Sequence, residues 1–231
     1  MKKKATNKAK IAKKLITNVA IILDESGSMG EMKKEAIEGT NKQIEELKKP
    51  ANKKLGYKVS IVTFNDIVNE PKTWNVPVAD IKLLEKGDYA PGGMTALLDA
   101  IGKTIKKMET FPGNTGSVKG FNIANLVIIL TDGLENASKE YARPKGYETI
   151  KAKIETLQAK GNWTFSFLGA NMDVMAEACG RLGIPQGNVA VFVANPAGLT
   201  IGTAQTICGT QSYSSTRMAG GQSVKNFYNQ P

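Results

Sequence analysis

Asp24-Glu25-Ser26-Gly27-Ser28 is the stretch on which the reading of this chain turns. It follows the apolar run Val19-Ala20-Ile21-Ile22-Leu23 and precedes a segment with helical periodicity. The order is therefore strand, tight oxygen-rich loop, helix. One carboxylate and two hydroxyls at alternate positions leave short side chains free to converge on one point. Such a point suits a hard cation, because Mg2+ and its relatives take oxygen ligands. Two distant fragments carry further oxygen donors, Gly92-Gly93-Met94-Thr95 and Thr131-Asp132-Gly133.

Working outward, residues 18–23 read as a central strand covered on both faces, since the run is almost continuously apolar and β-branched. Residues 29–49 follow as a helix with Ile37, Thr40, Ile44 and Leu47 on one side, stopped by Pro50. Residues 57–64 form a second strand. Residues 74–78 suit an edge strand, bounded by Pro71 and Pro77. A helix over 95–108, a loop over 112–120 and a buried strand over 126–130 come next. A helix over 147–159, a strand over 163–168, a helix over 174–182 and a last strand over 189–193 complete the pattern. Alternating strands and helices predict an α/β, doubly wound, mainly parallel central sheet with helices on both faces and one antiparallel edge strand. In open sheets of this kind ligands bind beyond the carboxyl ends of the strands. Asp24 and Asp132 each fall just after a strand, so topology brings them to one edge.

The three fragments resemble the metal-ion-dependent adhesion site (MIDAS) of von Willebrand factor A (vWA) domains. That pattern is DxSxS after a first strand, then a distant Thr and a distant Asp; here it reads Asp24, Ser26, Ser28, Thr95 and Asp132. The surrounding LDESGSM, GGMTALLDAI and VIILTDGLEN look like bacterial and phage intracellular members. The resemblance spans residues 18–194 and implies a vWA/Rossmann-like domain over 17–195. It implies that Ser26 and Ser28 ligate the ion through hydroxyls and that Thr95 does so directly or through water. Asp24 and Asp132 would act mainly through water and hydrogen bonds. Mg2+ is the expected ion, with Mn2+ and Ca2+ open. An ion so weakly neutralised, with an open position, attracts a partner's Asp or Glu.

A plainer reading of the same residues stands beside it. Ser28 and Thr95 are also suited to cap the helices they precede, and Asp132-Gly133 to form a turn. The acids Glu25, Glu31, Asp99 and Glu135 read as solvated surface residues, and Asn171 as a polar loop residue near the site edge.

Of the 231 residues none is histidine, which excludes Ser-His-Asp triads, Cys-His pairs and His-ligated zinc. No GxxxxGK[ST] loop is present. A haloacid-dehalogenase-type phosphotransferase would need a second Asp where Ser26 stands. The expectation is therefore a protein-interaction adaptor and not an enzyme. Cys179 and Cys208 sit among small residues and read as buried thiols. The net charge of +10 is concentrated in a basic arm over residues 1–16, where Lys2, Lys3, Lys4, Lys8, Lys10, Lys13 and Lys14 meet no acid. Such an arm suits nucleic acid or another acidic surface. The alternatives to the adaptor reading are thus a nucleic-acid-associated protein and a structural component of a phage-like assembly. No run of about 18 apolar residues suggests a transmembrane helix. Residues 15–23 are too short and too interrupted for a signal peptide, so the cytoplasm is expected. Residues 196–231, rich in Gly, Ser, Thr and Gln, read as an extension with a short helix over 199–207. Beyond Gly209 a loosely held tail is expected.

Overall fold

The computed structural model describes residues 13–49, 54–114, 118–170, 173 and 175–228. Strand β1 (Lys14–Asp24) is followed by a 3-10 turn (Gly27–Met32) and α1 (Lys33–Lys48). Then come β2 (Leu55–Phe64), β3 (Thr73–Pro77), α2 (Leu97–Met108), β4 (Phe121–Thr131) and α3 (Lys145–Ala159). The chain continues with β5 (Trp163–Ala170), a π-helical turn (Ala176–Arg181), β6 (Val189–Phe192) and α4 (Pro196–Met218).

The strands form one six-stranded sheet in the order β3-β2-β1-β4-β5-β6. Every neighbouring pair is parallel except β2 with β3. The predicted architecture is therefore the observed one. β1 shows why its sequence is so apolar. Ala20 and Ile22 face a core built with Leu97 and Ile101 of α2 and Ile154 of α3. Val19 and Ile21 face the opposite core with Ile44 and Leu47 of α1 and Tyr213 of α4. Both faces are covered, and alternation of polarity disappears. Because the five parallel strands share one direction, their carboxyl ends form one rim of the molecule and their amino ends the other.

Several elements depart from the sequence expectation. The segment after Gly27 opens as a 3-10 turn before becoming α1 at Lys33. The helix expected over 174–182 is a single π-helical turn. Cys208 is exposed and Cys179 half-buried, so neither is the buried thiol expected. Pro50, Asn171 and the arm up to residue 12 lie outside the described residues; of the arm's lysines only Lys13 and Lys14 are described.

The largest departure is the carboxyl-terminal segment. α4 does not stop near residue 207 but runs through Gly209 to Met218. Asn195 caps it, its Oδ1 accepting from the Gly198 N–H at 2.8 Å, and Pro196 opens the first turn. Its polar composition is compatible with burial because the hydroxyls satisfy themselves locally. Thr203, Thr206, Thr210 and Ser214 each donate to the carbonyl four residues earlier, at 2.7–3.0 Å. Small residues permit close packing; a methyl on Gly39 of α1 would lie 2.6 Å from the Thr203 side chain. The Gln43 amide donates to Thr210 Oγ1 at 2.7 Å, and the Tyr57 and Ser214 hydroxyls lie 2.7 Å apart. Beyond the helix, Phe227 is buried against the same core.

Arg217 fastens this segment to the sheet. Its guanidinium is fully buried, and burial lowers its pKa. It donates from Nε to Thr17 Oγ1 (3.1 Å), from one terminal nitrogen to Asn122 Oδ1 (2.7 Å) and the Gly221 carbonyl (2.8 Å), and from the other to the Ile16 and Asn122 carbonyls (3.0 Å each). All five donors are engaged, joining α4 to β1 and β4. Arg217→Ala leaves these acceptors unpaired, at about 1–3 kcal/mol for each buried group left without a partner. Urea unfolding should therefore show a loss of about 3 kcal/mol or more; a loss under about 1 kcal/mol would contradict this role.

Candidate metal centre

The end of β1 delivers Asp24 to the carboxyl rim with no exposed surface. Its carboxylate is held on both oxygens. Oδ1 accepts from the Ser26 N–H at 2.8 Å, and Oδ2 accepts from Thr131 Oγ1 at 2.5 Å. Thr131 is the last residue of β4, the neighbour of β1, and its hydroxyl in turn accepts from the Gly133 N–H at 3.1 Å. Burial pushes the Asp24 pKa up to about 6, against the lowering effect of these hydrogen bonds, and the nearby Asp132 adds to the rise. Burial raises Asp132 as well. Two carboxyls are thus held close together where a nearby cation would favour their charged forms.

Ser26, Ser28 and Asp132 form a continuous chain. The Ser26 and Ser28 hydroxyls are 3.2 Å apart, and Ser28 Oγ donates to Asp132 Oδ1 at 2.7 Å. Thr95 comes from the loop before α2, with its Oγ1 facing Gly133, where a methyl would lie 3.1 Å from it. The Thr95 side chain makes no hydrogen bond among the described residues, so its oxygen is uncommitted.

The helix-capping alternative fails on these observations. Neither Ser28 nor Thr95 makes a side-chain cap; the cap positions are Ser26 and Ala96, without cap bonds. A remote residue does that work for α2. Glu135, buried, accepts from the Leu98 N–H at 2.8 Å. It also accepts from Ala137 N, Ser138 N and Ser138 Oγ at 2.7–2.9 Å. Asp132-Gly133 is likewise more than a turn, since Asp132 reaches Ser28.

Glu25, Asp99 and Glu135 are buried, contrary to the expectation of solvated residues; only Glu31 is exposed. They brace loops. Glu25 accepts from Ala90 N–H and, at 2.8 Å, from Asn69 Nδ2. Asp99 accepts from the N–H groups of Lys139, Glu140 and Tyr141 at 2.8–3.3 Å. The loop carrying Thr95 is stitched to the β1 loop by Gly92 N–H to the Glu25 carbonyl (2.9 Å) and Gly27 N–H to the Gly93 carbonyl (3.0 Å). Gly93 has φ +77°, and a Cβ there would meet Asp66 Oδ2 at 2.0 Å, so any side chain at this position is strained. Tyr89 donates its hydroxyl to the Asp24 carbonyl. Sequence reading missed the roles of Thr131, Tyr89 and Asn69, and of Asn136, whose Oδ1 accepts from the Thr95 N–H at 2.8 Å. Only Thr131 carried a signal, as the neighbour of Asp132.

Among the described residues no three His, Cys, Asp or Glu side chains gather as a metal cage. The donors here are two carboxylates and three hydroxyls, which is the chemistry of a hard ion. Their spacing fits one: adjacent ligands on an octahedral ion with bonds of about 2.1 Å lie about 3.0 Å apart, close to the Ser26–Ser28 separation of 3.2 Å.

The sequence profile of the von Willebrand factor type A domain matches residues 18–203. The chain belongs to the vWA family. No curated protein matches it. Among solved structures, this vWA chain is similar to a von Willebrand factor type A protein from Catenulispora acidiphila, with TM-score 0.56, 19% identity and coverage of 85% of this chain and 42% of that one. It is also similar to the vWF domain of the type V pili tip protein Mfa5 from Porphyromonas gingivalis, with TM-score 0.57, 13% identity and coverage of 91% and 97%. A third similarity is to proximal thread matrix protein 1 of the mussel byssus with a zinc-occupied MIDAS motif, with TM-score 0.54, 14% identity and coverage of 85% and 48%. The chain thus spans less than half of the Catenulispora and mussel structures. At these identities the likeness shows the shared fold. vWA domains mediate protein interactions and commonly bind a divalent metal at the MIDAS. Among the described residues no helix is long and apolar enough to cross a membrane.

If Glu135 frees Thr95 by capping α2 from a distance, removing it should injure both stability and site. Glu135→Ala is expected to lower the unfolding free energy by about 3 kcal/mol, because it strips buried N–H groups of their acceptor. A urea midpoint within error of the parent would refute this role.

Proposed function

We propose that this vWA chain is a divalent-metal-dependent protein-interaction module of the bacterial and phage intracellular kind. In this reading Mg2+, or Mn2+ or Ca2+, is held by Ser26 and Ser28, with Thr95 as a direct or water-mediated ligand. Asp24 and Asp132 hold the serines and the ion's waters by hydrogen bonds. The hydroxyls contribute no formal charge, so the ion retains affinity for an anionic oxygen, which a partner's Asp or Glu supplies.

The observation that carries the reading is the hydroxyl-rich donor cluster, reached from solvent at Ser28, with the Thr95 oxygen left unbonded. The surroundings support a protein as the occupant. Ile67, Met94 and Leu134 are 57%, 53% and 41% exposed and lie on three loops that meet at the site. Met94 N–H bonds Asp66 Oδ1 at 3.1 Å, and Gly133 lies against Thr95. Exposed apolar side chains beside a polar centre mark interaction surfaces, and excluding water strengthens an ion's hold on a carboxylate.

The same reading makes the chain non-enzymatic. The chain has no histidine to activate Ser26 or Ser28, and the Asp24 carboxylate is engaged by Thr131 and the Ser26 amide. It also places the protein in the cytoplasm, where free thiols such as Cys179 and Cys208 stay reduced.

Metal at about 100 times its Kd should raise the unfolding free energy by about 2.7 kcal/mol, and EDTA should remove the increment. The double change Ser26→Ala, Ser28→Ala should abolish it. A partner captured from native lysate should elute with EDTA and fail to bind Asp132→Ala. Equal capture in Mg2+, in EDTA and by the variant would end the ion-bridge reading.

A further inference from the structure

The amino rim of the sheet, opposite the metal centre, carries a second feature. A concavity of about 410 Å3 opens at the feet of β4 and β5, lined by Lys13, Asn114, Asn122, Lys160, Asn162 and Gln222. Its lining is unusually rich in amides. Asn114 is locked in place, exchanging hydrogen bonds with the buried Asn125 at 2.7 and 3.0 Å. Asn162 and Gln222 both donate to the Ile123 carbonyl, at 3.4 and 3.1 Å, and Asn122 accepts from Arg217. These bonds fix the side chains and leave the carbonyl oxygens of Asn162 and Gln222 and the amide nitrogen of Asn122 uncommitted. The concavity therefore presents both acceptors and a donor on rigid supports.

The charge around it has one sign. Lys13, Lys14, Lys119 and Lys160 are all exposed at this rim. No acid lines the concavity; the acid facing Lys160 is Glu109, at 3.9 Å, which holds Lys153 more closely at 2.7 Å. The chain enters here too. Lys14 N–H bonds the Gly120 carbonyl at 2.9 Å, so residues 1–12, with five further lysines and no acid, connect to the protein beside this opening. Bland accounts cover part of this: Lys160 stands at the end of α3, where a cation complements the helix dipole. They do not explain why fixed, half-engaged amides share the opening with the lysines.

We propose that this rim binds single-stranded nucleic acid, with phosphates on the lysines and a base in the amide-lined concavity. The amides favour this ligand over an anionic membrane: they match base edges, whereas a lipid surface would call for apolar side chains to insert. Of the large apolar side chains exposed among the described residues, only Met218, at the end of α4, belongs to this end of the molecule. The concavity is also too small to admit a duplex. β1 spans the two rims over 11 residues, roughly 33 Å at the usual rise per residue. A nucleic acid and a metal-bound protein partner can therefore be held at once.

The test uses the full chain and a fluorescein-labelled, mixed-sequence single-stranded RNA of about 15 nucleotides, near the upper site size of such binders. Anisotropy is followed as salt rises. Binding should weaken steeply, and the double variant Lys13→Glu, Lys160→Glu should bind about tenfold more weakly with a log–log salt slope smaller by about 1.4, about 0.7 for each lost phosphate contact. Both lysines are exposed, so unchanged urea midpoints should accompany the loss. Asp132→Ala should bind RNA as the parent does. Absence of RNA binding at low salt overturns the proposal. So does a double variant that binds normally while deletion of residues 1–12 abolishes binding, since the arm would then act alone. Tighter retention on phosphatidylserine vesicles than on RNA, lost in the same double variant, assigns the rim to membranes and also overturns it.

Discussion

A carboxylate buried at the tip of a central strand is the constraint on which the rest of this structure depends. Asp24 reaches its position because β1 is covered on both faces, and it stays there because Thr131 and the Ser26 amide occupy its two oxygens. Those two contacts do more than stabilise one side chain. The bond to Thr131 ties the end of β1 to the end of β4, from which Asp132 continues to Ser28. The bond to the Ser26 amide turns the chain back and sets the buried Ser26 hydroxyl 3.2 Å from that of the exposed Ser28. One buried acid thus assembles donors that lie more than a hundred residues apart. Burial raises its pKa because the carboxyl charge has lost its water, and a cation held at the serines would restore that charge's stability.

The second theme is delegation. A hydroxyl that caps a helix is hydrogen-bonded already. Here the capping of α2 is passed to Glu135, and the loop beside the site is braced by Glu25 and Asp99, so Thr95 remains uncommitted. Buried acids that never touch the donor cluster therefore decide whether it is available. The molecule as a whole has two chemically opposite ends: an oxygen-rich rim ringed by Ile67, Met94 and Leu134, and a rim of lysines and amides. A stiff parallel sheet separates them. Such an arrangement suits a connector, which must hold one component without disturbing the other.

How far the sequence revealed this follows from the physics of each element. The central strands were legible because double-sided burial leaves a continuous apolar run, as in residues 18–23 and 126–130. The meeting of Ser26, Ser28 and Asp132 beside Asp24 was legible because small oxygen donors immediately after such runs have few structural uses. The α4 segment was not. Its burial depends on Thr203, Thr206, Thr210 and Ser214 bonding their own helix, and on Arg217 finding five neutral acceptors. Composition alone makes such residues look solvent-facing. The buried acids were misread for the same reason: Glu25, Asp99 and Glu135 each bond backbone amides or side chains 37 or more residues away, invisible to local pattern. The profile match ending at residue 203 falls inside α4, whose later turns still pack on the core.

The most direct test is anomalous diffraction from a crystal equilibrated with Mn2+. The account predicts a single strong peak at the carboxyl rim, about 2.1–2.3 Å from both Ser26 Oγ and Ser28 Oγ, as expected for hydroxyl oxygens on an ion slightly larger than Mg2+. An empty rim at saturating Mn2+, with the Ser26, Ser28 and Asp132 side chains still bonded only to one another, would contradict it.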